Sequence, residues 1–385
     1  MNRLLFGLLI IIVPLALSVE GPRNCSTFMF ASDSFFFVGH NLDETPGFHV
    51  PGMVCVNKRN TYREGIEYYE LIAPPEDYGK CLIPYDERPG PKINWVSRYG
   101  SITFNSEGID FPDGGINEEG LAIFEMSLGG TDYPFDEANP SIFMCLWIQY
   151  LLDNCATVDE VLENTENFNL QGWSWHYFVT DGTGDCAIIE FLGGKPAIHR
   201  GDDVKYPVLC NLRYDIELKR LKDYKGIGGG ILSIFKKPPR FVRAARMLDQ
   251  YDGSTDTPPR DYALELVEEI SVKGWNKWGI VVDVQNMVIY FHTERNRGLR
   301  YASLDSFDFD RKPDQMLDIH TGLTGDVSAA FEDYTFDRNY EHNKERADHL
   351  FADRFGGLID NGVTAEVYAR RYADYSERMR SGKGR

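Results

Sequence analysis

Cys25-Ser26-Thr27-Phe28-Met29-Phe30-Ala31, a polar Ser32-Asp33-Ser34, and then Phe35-Phe36-Phe37-Val38-Gly39-His40-Asn41-Leu42-Asp43 form the stretch from which the fold follows. Both apolar runs lack a helical period, and the polar triplet between them is a turn, so the segment reads as a β-hairpin. The runs are apolar on successive residues, as expected of strands covered on both faces. A hairpin here also returns Asp43 to the level of Cys25.

Working outward, further strands are expected at 53–58, 102–104 and 121–126, with the Gly-rich segment 113–120 read as a turn. Residues 140–152 read as a buried helix, and Thr157 with Glu160 three residues on is a capping box opening another. Strands resume at 176–180 and 187–191 around the hairpin turn 181–185. A helix follows at 239–251, with Phe241, Ala244 and Leu248 on one face, then a strand pair at 278–282 and 287–292. The tail carries two charged amphipathic helices, near 340–355 and 364–379, separated by Gly356-Gly357. This order of elements, with no internal repeat, predicts a mixed α+β domain whose sheets are covered by helices.

The chain has 385 residues, 43% of them hydrophobic, and a formal net charge of −19. Such an acidic surface repels phosphate backbones and anionic lipid, so no nucleic-acid partner is expected. Met1-Asn2-Arg3, the apolar run 4–16 and Ala16-Leu17-Ser18 have the three-part pattern of a secretory signal peptide. The run is short for a membrane span, so export (secreted or periplasmic) is expected, with no stable span after processing. Seven cysteines remain in an exported chain, an odd number that leaves at least one unpaired. No pair is spaced C-x-x-C, which removes the usual signature of a zinc or thioredoxin-like site.

A thiol attacks an amide well only as thiolate, and it needs a base nearby. A chain that begins at cysteine supplies one itself, because an α-amine has a pKa of roughly 7.7–8.0. Cys25 lies just beyond the signal peptide, and Asp43 is placed to hold that amine. A disulfide cysteine and a turn aspartate fit the same two positions.

Cys25-Ser26-Thr27-Phe28 with Gly39-His40-Asn41-Leu42-Asp43 resembles the start of the choloylglycine hydrolase and penicillin V acylase family. Further blocks resemble that family in its order: Gly115 to Leu121; His176 to Asp181 running into Ala187-Ile188-Ile189-Glu190; Val208-Leu209-Cys210-Asn211; Pro239-Arg240-Phe241-Val242-Arg243-Ala244-Ala245; and 278–297. The resemblance implies an N-terminal-nucleophile (Ntn) hydrolase fold, an αββα four-layer sandwich, acting on linear non-peptide amides without metal or cofactor. It implies Cys25 as nucleophile and its α-amine as base, Asp43 orienting the amine, Asn211 donating to the oxyanion, and Arg240 beside the thiolate. The domains expected are a signal peptide at 1–18, a propeptide at 19–24, the hydrolase domain at 25–311 and a C-terminal helical extension at 312–385.

Two positions depart from the family pattern. His40 replaces an arginine, exchanging a permanent charge for a shorter, titratable group that is expected to bear on the pH optimum and on substrate contact. The second oxyanion position falls on Ser127, whose hydroxyl or backbone N–H is the expected donor. The partner expected is a small-molecule acyl amide, and homo-oligomerisation is compatible with the sequence. An acyltransferase on the same fold and an exported binding protein with a dead site are the rival readings. Gly226 to Gly230 fits no phosphate-binding spacing and is read as a loop near the active site. His342 and His349, seven apart on a helix, are read as solvated.

Overall fold

The computed structural model describes residues 25–47, 49–72, 91–224, 237–252, 256–352 and 363–381. The expected signal peptide and propeptide, Cys81, the Gly226–Gly230 segment and the Gly356-Gly357 pair lie outside the described residues. Strands Ser26–Ser32 and Phe35–Asp43 form the expected hairpin, in register from Ser32 opposite Phe35 to Ser26 opposite Asn41. They lie inside a seven-stranded sheet in the order Val208–Leu209, Ser26–Ser32, Phe35–Asp43, Asn276–Asp283, Val288–Thr293, Arg300–Ser303 and Gly325–Asp326.

A second sheet of nine strands is antiparallel throughout. Its order is Pro196–Arg200, Cys186–Phe191, Trp175–Thr180, Ala122–Ser127, Gly114–Asn117, Ser101–Asn105, Met53–Asn57, Gln315–Asp318 and Glu332–Asp333. Alternate residues of the hairpin serve the two layers against it, as a strand's two-residue period requires. The His40 ring stacks on Phe124 of the second sheet, and the Thr27 hydroxyl reaches Met126 Sδ at 2.8 Å. On the opposite face, Asn41 donates to the Val267 carbonyl in helix Pro259–Ile270 at 2.9 Å. Gly39 faces the same helix, where a Cβ would stand 2.2 Å from Phe28 Cε1.

Helices Arg240–Gln250 and Pro259–Ile270 therefore cover the first sheet. Helix Met144–Asn154 covers the second, with Trp147 edge-on to Tyr177 and the Asn117 amide on the Leu152 carbonyl. The result is an αββα sandwich. Its hairpin is covered on both faces, as the hairpin's sequence required.

Three local expectations need correction. Segment 113–120 contains the strand Gly114–Asn117, because the glycines sit where neighbouring strands pass closely: a Cβ at Gly115 would stand 2.4 Å from the Ile102 carbonyl oxygen. The helix expected from 140 begins at Met144, after the short strand Ser141–Phe143 pairs with Asn169–Gln171. The sheets also continue past residue 311. Gln315–Asp318 pairs with Met53–Asn57, and Glu332–Asp333 pairs beyond it, so the tail is woven into the second sheet before its helices begin.

Those helices, Phe336–Ala352 and Ala365–Ser381, are pinned by buried charges. Arg346 Nε meets Glu107 at 3.0 Å, and Tyr368 donates to the same carboxylate at 2.9 Å. Arg380 meets Asp110 at 2.6 Å and Asp314 at 2.7 Å, both carboxylates being almost wholly buried. Removing one partner of such a group leaves charge buried without compensation, at a cost of about 3–5 kcal/mol. Arg380→Ala is therefore expected to lower the stability measured by denaturant unfolding by that amount, whereas Arg370→Ala, whose partner Asp374 is exposed, should change it little.

The six described cysteines are all buried thiols, so no disulfide forms among them. No helix among the described residues is long and apolar enough to cross a membrane.

Candidate active site

Pro239 ends an extended segment and caps helix Arg240–Gln250 with φ −50°, which delivers Arg240 at the first helical position. Its side chain is only 13% exposed. One guanidinium nitrogen donates to the Cys25 carbonyl at 2.9 Å and lies 3.6 Å from the Asp43 carboxylate. The other donates to Asn211 Oδ1 at 2.8 Å. A single planar fork thus joins the start of one strand, the end of the next and the loop after Val208–Leu209. The four residues expected to act together are brought together.

Asp43 is fully buried and accepts from the Val272 N–H at 3.1 Å and from Asn276 Nδ2 at 3.0 Å. Burial pushes its carboxyl up to about 7, against the opposing pull of Arg240 first, then Asn276 and Val272. Asn276 also donates to Asn41 Oδ1 at 2.9 Å, so it fixes two residues of the same strand. Neither Asn276 nor Val272 was anticipated from the sequence. Asn276 pairs across the ladder with Asp43, and an irregularity between Asn276 and Trp278 turns it toward the carboxylate. A strand read as starting at 278 hid it.

Asn211 Nδ2 donates to the Ser127 carbonyl at 2.8 Å while Oδ1 is taken by Arg240. With both contacts made, the amide is held rigidly and keeps its second N–H for another acceptor. Ser127 enters the site through that carbonyl, as an acceptor that anchors Asn211.

His40 is corrected more sharply. It lies between the sheets, 1% exposed, with its Nδ1 2.9 Å from the Thr27 hydroxyl and its ring on Phe124. Burial alone lowers its pKa to about 3, so it stays neutral across the ordinary pH range. His40 is therefore not the group titrating near neutrality that its residue type suggests.

Comparison with known proteins identifies the family and the fold. The model of the linear amide C–N hydrolases, choloylglycine hydrolase family, matches residues 97–237. Penicillin V acylase of Pectobacterium atrosepticum is 32% identical over 262 residues, covering 56% of this chain and 69% of the relative. The chain belongs to the choloylglycine hydrolase family. Among solved structures, penicillin V acylase from Agrobacterium tumefaciens superposes with a TM-score of 0.64 at 22% identity, covering 81% of this chain and 98% of that one. A variant of conjugated bile acid hydrolase from Clostridium perfringens follows with 0.58 at 15% identity, covering 78% and 98%. This choloylglycine hydrolase family member is thus a linear amide C–N hydrolase with the Ntn fold.

Elsewhere in the hydrolase, a cavity of about 910 Å³ opens between helices Arg240–Gln250 and Pro259–Ile270, lined by Arg243, Arg246, Glu265, Glu268, Glu269 and His292 among others. Cys25, Asp43, Asn211 and Arg240 do not line it. Neither His342 nor His349 is simply solvated. His342 is buried against the Ser106 carbonyl, and His349 packs on His49, with ring centroids 4.4 Å apart. His49, Glu345 and His349 bring ligand atoms within 4.8 Å of one another, a spacing that a metal ion could use. The Arg295 guanidinium already lies against His49 and 4.0 Å from Glu345, so a cation of the chain's own meets that cluster.

Proposed function

We propose that the protein is exported, that cleavage of the Asn24–Cys25 bond makes Cys25 the first residue, and that Cys25 then hydrolyses a small acyl amide through a thioester. The observation that supports this most is the Arg240 fork, which gathers Cys25, Asp43 and Asn211 in one buried cluster. In the proposed cycle, the α-amine takes the Cys25 thiol proton and the sulfur attacks the amide carbonyl. The second Asn211 N–H receives the oxyanion. Collapse breaks the C–N bond, and the α-ammonium returns its proton to the leaving amine. Water then gives a proton to the α-amine and attacks the thioester, which releases the acid and restores the thiol.

Asp43 in its ionised form holds the α-ammonium, and Arg240 limits the rise that burial imposes on that carboxyl. The curated relative is named for penicillin V, so phenoxyacyl amides head the panel of substrates, followed by bile-salt conjugates and N-acyl amino acids. Rapid mixing with a phenoxyacetyl amide, acid quench and peptide mass analysis should find the acyl group on Cys25. An acyl group on another residue, or hydrolysis with none trapped after Cys25→Ala, would refute the thioester route. Transfer of the acyl group to added amines in preference to water would favour the acyltransferase reading.

The Asp43 environment predicts a pH effect. Arg240 lowers the pKa of Asp43, so Arg240→Gln should raise it. The carboxylate needed to hold the α-ammonium is then lost at higher pH, and the acid limb of kcat/KM moves upward. A limb that stays in place or moves down contradicts the role given to this pair.

A further inference from the structure

His176 and Glu190 form a buried pair that the proposed cycle does not use, 0% and 1% exposed in their side chains. His176 Nε2 lies 2.7 Å from the Cys210 carbonyl, and because a carbonyl only accepts, that nitrogen carries a proton. Its Nδ1 faces Glu190 Oε1 at 3.3 Å. The same carboxylate oxygen accepts from the Tyr214 N–H at 3.0 Å, and the other oxygen lies 3.4 Å from His199 Nε2. Although burial opposes ionisation, the hydrogen bonds from His176 and His199 hold Glu190 down at about 2, so it remains a carboxylate. With an acceptor at each ring nitrogen, His176 donates from both as an imidazolium, and buried imidazolium–carboxylate pairs cost desolvation that an apolar pair of the same volume avoids.

What the pair grips is the segment carrying Asn211. The strand before it, Val208–Leu209, has only two residues and pairs through Thr27 and Phe28 at the edge of the first sheet. That ladder ends before Asn211. His176 fixes the carbonyl of Cys210 on one side, and Glu190 fixes the N–H of Tyr214 on the other. Both anchors come from the second sheet, from strands Trp175–Thr180 and Cys186–Phe191.

We propose that the His176–Glu190 pair is a positioning element, which ties the Cys210–Tyr214 loop to the second sheet so that the Asn211 amide is aimed at the oxyanion. This rests on the reading of Asn211 as the oxyanion donor. Misplacing a group by about 1 Å can cost on the order of 10²-fold in rate, so His176→Leu should lower kcat by about 10- to 100-fold with KM unchanged. His176→Gln should recover most of that loss, because its amide N–H can still reach the Cys210 carbonyl. Glu190→Gln should fall between them. His342→Leu removes a comparable buried contact, to the Ser106 carbonyl, away from the site. It should lower the melting temperature and leave kcat intact.

The test measures kcat, KM and melting temperature of the processed protein on phenoxyacetyl and decanoyl p-nitroanilides, with Asn211→Ala as reference. If His176→Leu and Glu190→Gln keep wild-type kcat while Asn211→Ala is slow, the positioning role is wrong and the Asn211 reading stands. If His176→Leu does not fold, Glu190→Gln and His176→Gln decide between the same outcomes. A fast Asn211→Ala, or a wild-type protein that cleaves neither anilide, overturns the underlying reading as well.

Discussion

Cys25→Ala is expected to abolish amide hydrolysis and to leave the Asn24–Cys25 bond intact. Both losses have one cause in the proposed cycle, where the same sulfur attacks the substrate and is needed to release its own α-amine. The fold should survive. Cys25 is a small buried side chain at the edge of a hairpin whose register runs from Ser26 to Ser32. Removal of one sulfur leaves the Arg240 contact to its backbone carbonyl in place. Circular dichroism and melting temperature should therefore lie close to wild type while turnover falls to background. A Cys25→Ala protein that still hydrolyses the substrate would move the chemistry to another residue.

The second large effect is expected at Asn211. A preorganised oxyanion donor is worth about 10²–10³ in kcat, and Asn211 is held by both ends of its amide. Asn211→Ala should lower kcat by that factor with little change in KM, since the donor acts on charge that develops in the transition state. Asn211→Asp is the sharper variant. It keeps the acceptor for Arg240 but places negative charge where the oxyanion forms, and it meets the Ser127 carbonyl with an acceptor. Its rate should be at or below that of Asn211→Ala, and a faster Asn211→Asp contradicts the assignment.

The central hairpin was legible because two short runs of consecutive apolar residues flank a polar turn, the pattern of paired strands covered on both faces. Its register followed from the turn, and with it the approach of Asp43 to the start of the chain's first strand. The roles proposed for Asn211 and Arg240 were not legible from local pattern. An asparagine after a two-residue strand and an arginine opening a helix each have ordinary uses, and only the resemblance singled them out. Their meeting depends on contacts spanning 215 residues of sequence, from Cys25 to Arg240.

His40 shows a different limit. Its residue type suggests titration near neutrality, but the pKa follows from burial between two sheets, which a strand's sequence does not reveal. Asn276 was missed because a ladder irregularity, invisible in the apolar pattern, turns it toward Asp43. In the tail only the two charged amphipathic helices, packed on or following the core, stand out from the sequence. Its short strands at 315–318 and 332–333 are too brief to stand out, yet they extend the second sheet.

The most direct measurement is the intact mass and N-terminal sequence of the active protein recovered after export. The account predicts a chain that begins at Cys25, with Cys25→Ala retaining residues ahead of it. A fully active protein whose chain begins at Val19 would contradict it, because the α-amine that serves as base would then be absent.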